Sequence, residues 1–166
     1  QKVSVVDYLQ MIERKTSALL SGSAMIGATI AGASDDDIKK IYRFATELGL
    51  AFQLQDDMLD SYGDEALGKK IGGDILEGKQ TYLMVQAMSR ATDEQREVLR
   101  TTHLRSDLSD AEKIVKIKAL YDELGVPERV EQQIAQKFQK AIGILDNLSV
   151  ASERTAELRK YAENLV

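Results

Sequence analysis

From position 34 to about position 60 the chain reads as one uninterrupted helix, and that run constrains what can surround it. Ser34 is a cap candidate, and Asp35, Asp36 and Asp37 place negative charge beside the positive end of the helix dipole. Ile38, Ile41, Phe44, Ala45, Leu48, Phe52 and Leu59 then recur near the helical period, with Gly49 tolerated inside the run. Local helix physics explains the aspartate triplet, which is therefore read as capping and not as a metal site.

The composition agrees with a helical chain. One proline, eleven glycines and 5% aromatics favour helices broken by glycine over strands rich in β-branched and aromatic residues. With 43% hydrophobic and 30% charged residues in 166, the chain can bury a core and is not a disordered one. The absence of cysteine removes disulfides, thiolate zinc sites and cysteine nucleophiles, and a single histidine nearly excludes the usual zinc sites and triads. Any metal would be held by oxygen. A formal charge of -5 is the opposite of a nucleic-acid footprint, so no nucleic-acid partner is expected. The chain opens Gln1-Lys2-Val3, with no initiator methionine, signal sequence or membrane-length apolar run, and is expected to be a cytoplasmic fragment without a transmembrane segment.

Other helices follow from periodicity and punctuation. Val5, Val6, Leu9, Ile12 and Leu19 predict a helix over 5–20, entered through Ser4 with Asp7 three residues on. Residues 21–32 are small, uncharged and rich in glycine. Each glycine lowers helix propensity by about 1 kcal/mol, so a helix here is expected to be buried, its small side chains admitting a close neighbour. From 61 to 80, Gly63, Gly68, Gly72, Gly73 and Gly78 crowd among charged residues in a long loop of the kind that carries function. Helices are predicted over 81–90, 92–102 and 109–124. Gly125-Val126-Pro127 stops the last of these and starts another that reaches about 148, and a final helix runs over 152–164.

The densest polar cluster is Gln53-Leu54-Gln55-Asp56-Asp57-Met58-Leu59-Asp60. Helical spacing places Gln53, Asp56, Asp57 and Asp60 on a shared face, where three carboxylates are expected to converge. A solvated acidic face is the competing reading. What favours a site is the loop that follows, Gly68-Lys69-Lys70-Ile71-Gly72-Gly73-Asp74-Ile75-Leu76-Glu77-Gly78-Lys79. Its glycines let backbone approach a ligand, and its lysines suit phosphate. Carboxylates beside such a loop suit a magnesium-bridged phosphate, since magnesium takes one or two carboxylates and completes its shell with water and phosphate oxygens. The loop lacks the order of a Walker sequence, which argues against a nucleotide triphosphatase.

Phe52-Gln53-Leu54-Gln55-Asp56-Asp57-Met58-Leu59-Asp60, Gly63-Asp64, Gly68-Lys69-Lys70-Ile71-Gly72-Gly73-Asp74 and Lys79-Gln80-Thr81 together resemble the second aspartate-rich motif and following loop of trans-type polyprenyl diphosphate synthases. Lys15-Thr16 resembles that family's upstream Lys-Thr pair. The resemblance implies an all-α helical bundle of the isoprenoid synthase type, a Mg2+ cofactor, and condensation of an allylic diphosphate with isopentenyl diphosphate. It implies that Asp56 is a direct magnesium ligand, supported by Asp57 and Asp60. Lys15, Lys79 and either Lys69 or Lys70 would contact the diphosphate, with Thr16 and Gln53 near the reacting end. Asp74 would organise the loop.

The family's first aspartate-rich motif and its isopentenyl-diphosphate-binding residues are absent. The chain therefore reads as the C-terminal half of one domain, residues 1–166, inactive alone and expected to form a homodimer when full-length. Two other readings stay open: a non-catalytic subunit of a hetero-oligomeric prenyl synthase, against which the intact Asp56, Asp57, Asp60 and Lys69 argue, and a helical interaction protein. His103 is read as completing a helix C-terminus, and Tyr62, Tyr82 and Tyr121 as packing residues.

Overall fold

A computed structural model of the chain describes residues 3–63 and 71–166, and every regular element among them is helical. α1 (Val5–Ile12) passes through a π-helical turn (Glu13–Ser17) into α2 (Ala18–Ile30). There follow α3 (Asp35–Tyr62), the single-turn α4 (Gly73–Leu76), α5 (Tyr82–Arg90) and α6 (Asp93–Thr101), which ends in a 3-10 turn (Thr102–Leu104). α7 (Asp110–Glu123), α8 (Val126–Asp146) and α9 (Ser152–Leu165) complete the chain. No helix of the described residues is long and apolar enough to cross a membrane.

The chain divides into two compact units. The first comprises Gln1–Tyr8 and Leu54–Glu131, the second Leu9–Gln53 and Gln132–Val166. In the second, Phe44, Ala45 and Leu48 of α3 form a core with Ala141 and Leu145 of α8 and Ala162 of α9, flanked by Leu20, Ala24 and Phe138. The predicted cap of α3 is present: Ser34 Oγ accepts from the Asp37 N–H at 3.2 Å. Asp36 pairs with Lys40 at 2.6 Å, and Asp37 is buried, accepting from the Ser149 N–H at 3.0 Å and from its hydroxyl. The aspartate triplet is therefore consumed by structure, as its position in the sequence predicts.

Glu47 is a second buried acid of this unit, flanked by Lys137 at 3.0 Å and by Lys140. Burial works to raise its pKa, but the two ammonium groups outweigh burial and hold it below the ordinary 4.5. A depressed carboxylate contributes stability above its unfolded pKa and loses it as pH falls through the folded value. Glu47→Gln is therefore expected to lower the thermal midpoint at neutral pH, and the gap from the parent is expected to close as pH falls well below 4.5. Parallel melting curves across that range would check it; a gap that stays constant would remove the ion pair from the account.

The first unit packs Tyr8 and Leu54 with Ile75, Tyr82, Leu83, Val85, Leu99, Ile117 and Tyr121, all buried. Thr81 caps α5 by accepting from the Met84 N–H at 3.3 Å, and Thr92–Gln95 and Ser109–Glu112 close reciprocal capping boxes on α6 and α7. Gly125, at φ +61, ends α7, and Pro127 sits in the first turn of α8. Tyr82 and Tyr121 are core residues as expected, and the Tyr62 hydroxyl donates to Asp122 at 2.6 Å beneath the Lys118 ammonium.

Two sequence expectations need correction. The helix predicted over 5–20 does not end there but continues to Ile30, because glycine-rich residues 21–30 keep their backbone hydrogen bonds despite low propensity. Nor is α2 buried. Leu19, Ile26 and Ile30 are 78%, 58% and 83% exposed, and a Cβ built at Gly22 or Gly27 meets nothing within 4 Å. Of α2 only Ser21 is buried and Leu20 and Ala24 reach the core, and Gly22 and Gly27 meet no close neighbour within this chain.

Candidate functional site

The aspartate motif occupies the last turns of α3, and the first unit surrounds it. Successive helical residues are about 100° apart, and that angle separates Asp56 from Asp57. Asp57 turns inward and is 4% exposed, whereas Asp56 and Asp60, one turn apart, are half-buried. The face is thus divided by burial: Asp57 turns into the unit, while Asp56 and Asp60 stay partly accessible.

The Asp57 carboxylate faces its donors inside the unit. Its Oδ2 accepts from the Tyr8 hydroxyl and from the Tyr82 N–H at 2.8 Å. Tyr82 is the first residue of α5, so the carboxylate sits at the positive end of that helix. Burial, and then the charge of Asp57, push the Tyr8 hydroxyl far above the ordinary tyrosine range, keeping it protonated and able to donate. The Tyr8 and Tyr82 rings lie 5.7 Å apart, which fixes the hydroxyl over the acid.

Asp60 organises the turn that follows. Its backbone oxygen accepts from the Gly72 N–H at 2.6 Å, and its Oδ2 from the Asp74 N–H at 3.0 Å. Asp74 in turn holds the Lys79 ammonium at 2.7 Å, with Glu77 at 3.0 Å, so Asp74 organises the loop as the sequence suggests. Burial raises the Asp60 pKa, and the charges of Asp74 and Asp56 add to it, against the Asp74 N–H and Lys79. Pairing with two carboxylates raises the Lys79 pKa further above the ordinary lysine range. Asp60 thus feels the charges of both Asp74 and Asp56, with Lys79 as a cation beside it.

The second unit carries the other candidates. Lys15 and Thr16 lie on the π turn, a rare form that often marks functional positions because it shifts the register of the residues it displays. Thr16 Oγ1 donates to Gln53 Oε1 at 3.1 Å, joining two residues that the resemblance places together. Gly49 makes this approach possible: a Cβ there would fall 2.7 Å from Ser17 Oγ and 3.0 Å from Ser17 Cα. Its place inside α3 therefore has a packing reason that periodicity alone did not supply. Lys15 is exposed. Lys69 and Lys70 lie outside the described residues, as does the segment 64–68.

The sequence reading missed Tyr8, the π turn, and the contact between Gly78 and His103. Tyr8 is 49 residues from Asp57, and nothing local in the sequence pairs them. His103 lies in the 3-10 turn after α6, near the helix end foreseen for it, but its imidazole faces Gly78. Among the described residues, no three carboxylate or histidine side chains form a ready cage for a metal ion.

The family model for polyprenyl synthetase matches residues 1–124. The chain is 34% identical over 166 residues to a geranylgeranyl diphosphate synthase of Saccharolobus solfataricus, covering 96% of this chain and 48% of that protein. Its fold matches the crystal structure of a polyprenyl synthetase from Streptomyces coelicolor with a TM-score of 0.89 at 28% identity, over 99% of this chain and 51% of the other. It also matches a geranylgeranyl pyrophosphate synthase from Corynebacterium glutamicum complexed with isoprenyl diphosphate and magnesium. There the TM-score is 0.88 at 33% identity, over 98% of this chain and 46% of that one. The chain spans about half the length of the curated relatives it matches.

Proposed function

Because this chain belongs to the polyprenyl synthetase family, we propose that the whole protein condenses an allylic diphosphate with isopentenyl diphosphate, and that residues 1–166 form the C-terminal part of its single isoprenoid synthase domain. The observation that carries this reading is the coupling of the aspartate motif to the following turn. Asp60 holds Gly72 and Asp74, and Asp74 holds Lys79, so carboxylates and a lysine are ordered together. A merely solvated acidic face needs no such connection.

The reaction follows from charge. Heterolysis of the allylic carbon–oxygen bond sends the electron pair to the departing diphosphate and leaves a delocalised carbocation. The π electrons of isopentenyl diphosphate form the new carbon–carbon bond, and the resulting cation loses a proton to the released diphosphate, giving an alkene one isoprene unit longer. Catalysis therefore consists of stabilising charge on the leaving group and keeping water from the cation.

Within the first unit Asp56 would hold magnesium directly, with Asp60 and Asp57 supporting it. Asp57 acts from behind, one of its oxygens engaged by Tyr8 and Tyr82. The donors fit the ion: all are hard carboxylate oxygens. When bound, magnesium supplies positive charge to the diphosphate oxygens. Lys79 would exchange part of its contact with Asp74 and Glu77 for a phosphate oxygen, as an ammonium with three donors can. Lys69 or Lys70 would serve the same diphosphate. The family resemblance implies for the whole protein that Lys15 contacts diphosphate and that Thr16 and Gln53 lie near the reacting end. The full-length protein would act in the cytoplasm as a homodimer.

The test on this chain is calorimetric titration with inorganic diphosphate, with and without magnesium. The reading expects binding that requires magnesium and is lost in Asp56→Ala. Binding equally strong without magnesium would contradict it.

A further inference from the structure

We infer that His103 is a positioning residue for Lys79, acting through Gly78. The geometry stands by itself, while its consequence for ligand binding rests on the diphosphate reading above. Two glycines in the left-handed region bracket α4: Gly72 at φ +80 and Gly78 at φ +64. At both, the missing side chain makes room for a residue that follows α6 in the chain. A Cβ at Gly72 would lie 2.6 Å from Ile114 Cδ1, and one at Gly78 would lie 2.6 Å from both His103 Nε2 and Cδ2. L-residues rarely adopt this backbone region, and these side chains leave no space for a Cβ, so glycine is required twice over.

The two ends of the turn are held differently. The near end is tied to α3 through Asp60, which accepts from both Gly72 and Asp74. The hydrogen bonds of the far end run back into the turn itself, from the Gly78 N–H to Ile75 O at 3.2 Å and from the Lys79 N–H to Asp74 O at 3.0 Å. What meets Gly78 from another part of the chain is the His103 imidazole. The backbone that carries this imidazole is held: Thr102 is buried and its hydroxyl donates to Val98 O at 2.7 Å, and the Lys113 ammonium donates to the His103 carbonyl oxygen at 3.3 Å. A lysine side chain has many rotamers, so the direction its ammonium can reach depends on where its Cα is fixed. His103 fixes the residue immediately before it.

The test compares His103→Ala, which removes the ring, with His103→Phe, which keeps a flat ring without its nitrogens. Two readouts are needed: the backbone amide signals of Gly78 and Lys79 by NMR, and affinity for inorganic diphosphate with magnesium by calorimetry. His103→Ala is expected to move both amide signals and weaken binding by about tenfold, the scale of losing a support behind a ligand-binding group. His103→Phe is expected to restore both. In Lys79→Ala the His103→Ala change should cost nothing further, because the two act as one unit. Thermal midpoints of all variants monitor the fold. Unmoved amide signals in His103→Ala would overturn the inference, as would equal losses in His103→Ala and His103→Phe, which would assign the effect to the imidazole nitrogens. If the parent chain binds no diphosphate yet the signals move in His103→Ala, the functional reading fails and the positioning role stands.

Discussion

Asp56→Ala in the full-length protein is expected to reduce condensation by about a thousandfold, the scale seen when a principal electrostatic stabiliser of a developing charge is removed. The same substitution is expected to leave helicity and the thermal midpoint nearly unchanged, because Asp56 is half-exposed and partial exposure spares the chain a large desolvation penalty. Steady-state kinetics with circular dichroism on the same preparation separates the two effects. Turnover at the parent level would remove Asp56 from the site.

Its neighbour is expected to behave in the opposite way. Asp57 is 4% exposed and satisfies a buried tyrosine hydroxyl and the first N–H of α5 with one oxygen. Asp57→Ala leaves both donors buried without that acceptor, at a cost of about 1–3 kcal/mol each. A total of about 4 kcal/mol corresponds to a fall of about 10 °C in the thermal midpoint for a chain of this size. Asp57→Asn retains an acceptor and is expected to lose about half as much. Differential scanning calorimetry of the two variants checks this; a midpoint unchanged in Asp57→Ala would mean that the Tyr8–Asp57–Tyr82 junction carries no stability. The two expectations together separate adjacent aspartates by their larger effect, Asp56 on turnover and Asp57 on stability.

That division shows where the sequence is legible. Caps and punctuation place most helix ends within a residue or two: Ser34 before α3, Thr92 and Ser109 in their boxes, Gly125 before α8. These signals are local, and local chemistry decides them. Gln53 and the aspartates of the motif follow from helical spacing, Thr16 only from the family resemblance, and the structure joins Thr16 directly to Gln53. The unread features all depend on distant parts of the chain. Whether Asp57 or Asp56 faces inward depends on where Tyr8 and the start of α5 lie. The π turn under Lys15 and Thr16 has no local signal in the residues that form it, and Gly49 looks like a tolerated defect until Ser17 is seen against it. The exposure of α2 was misread for the same reason, since an apolar segment reports a tendency to be covered and not the presence of a cover.

The central claim is that the aspartate motif and its ordered turn belong to a magnesium-dependent prenyl transfer site. Its most direct test incubates the full-length protein with an allylic diphosphate, isopentenyl diphosphate and magnesium, and identifies the products by mass spectrometry. The account predicts an allylic diphosphate longer by one isoprene unit or more, with an equal number of diphosphates released and no product when magnesium is chelated. A folded full-length protein that yields no elongated product with magnesium present would contradict it.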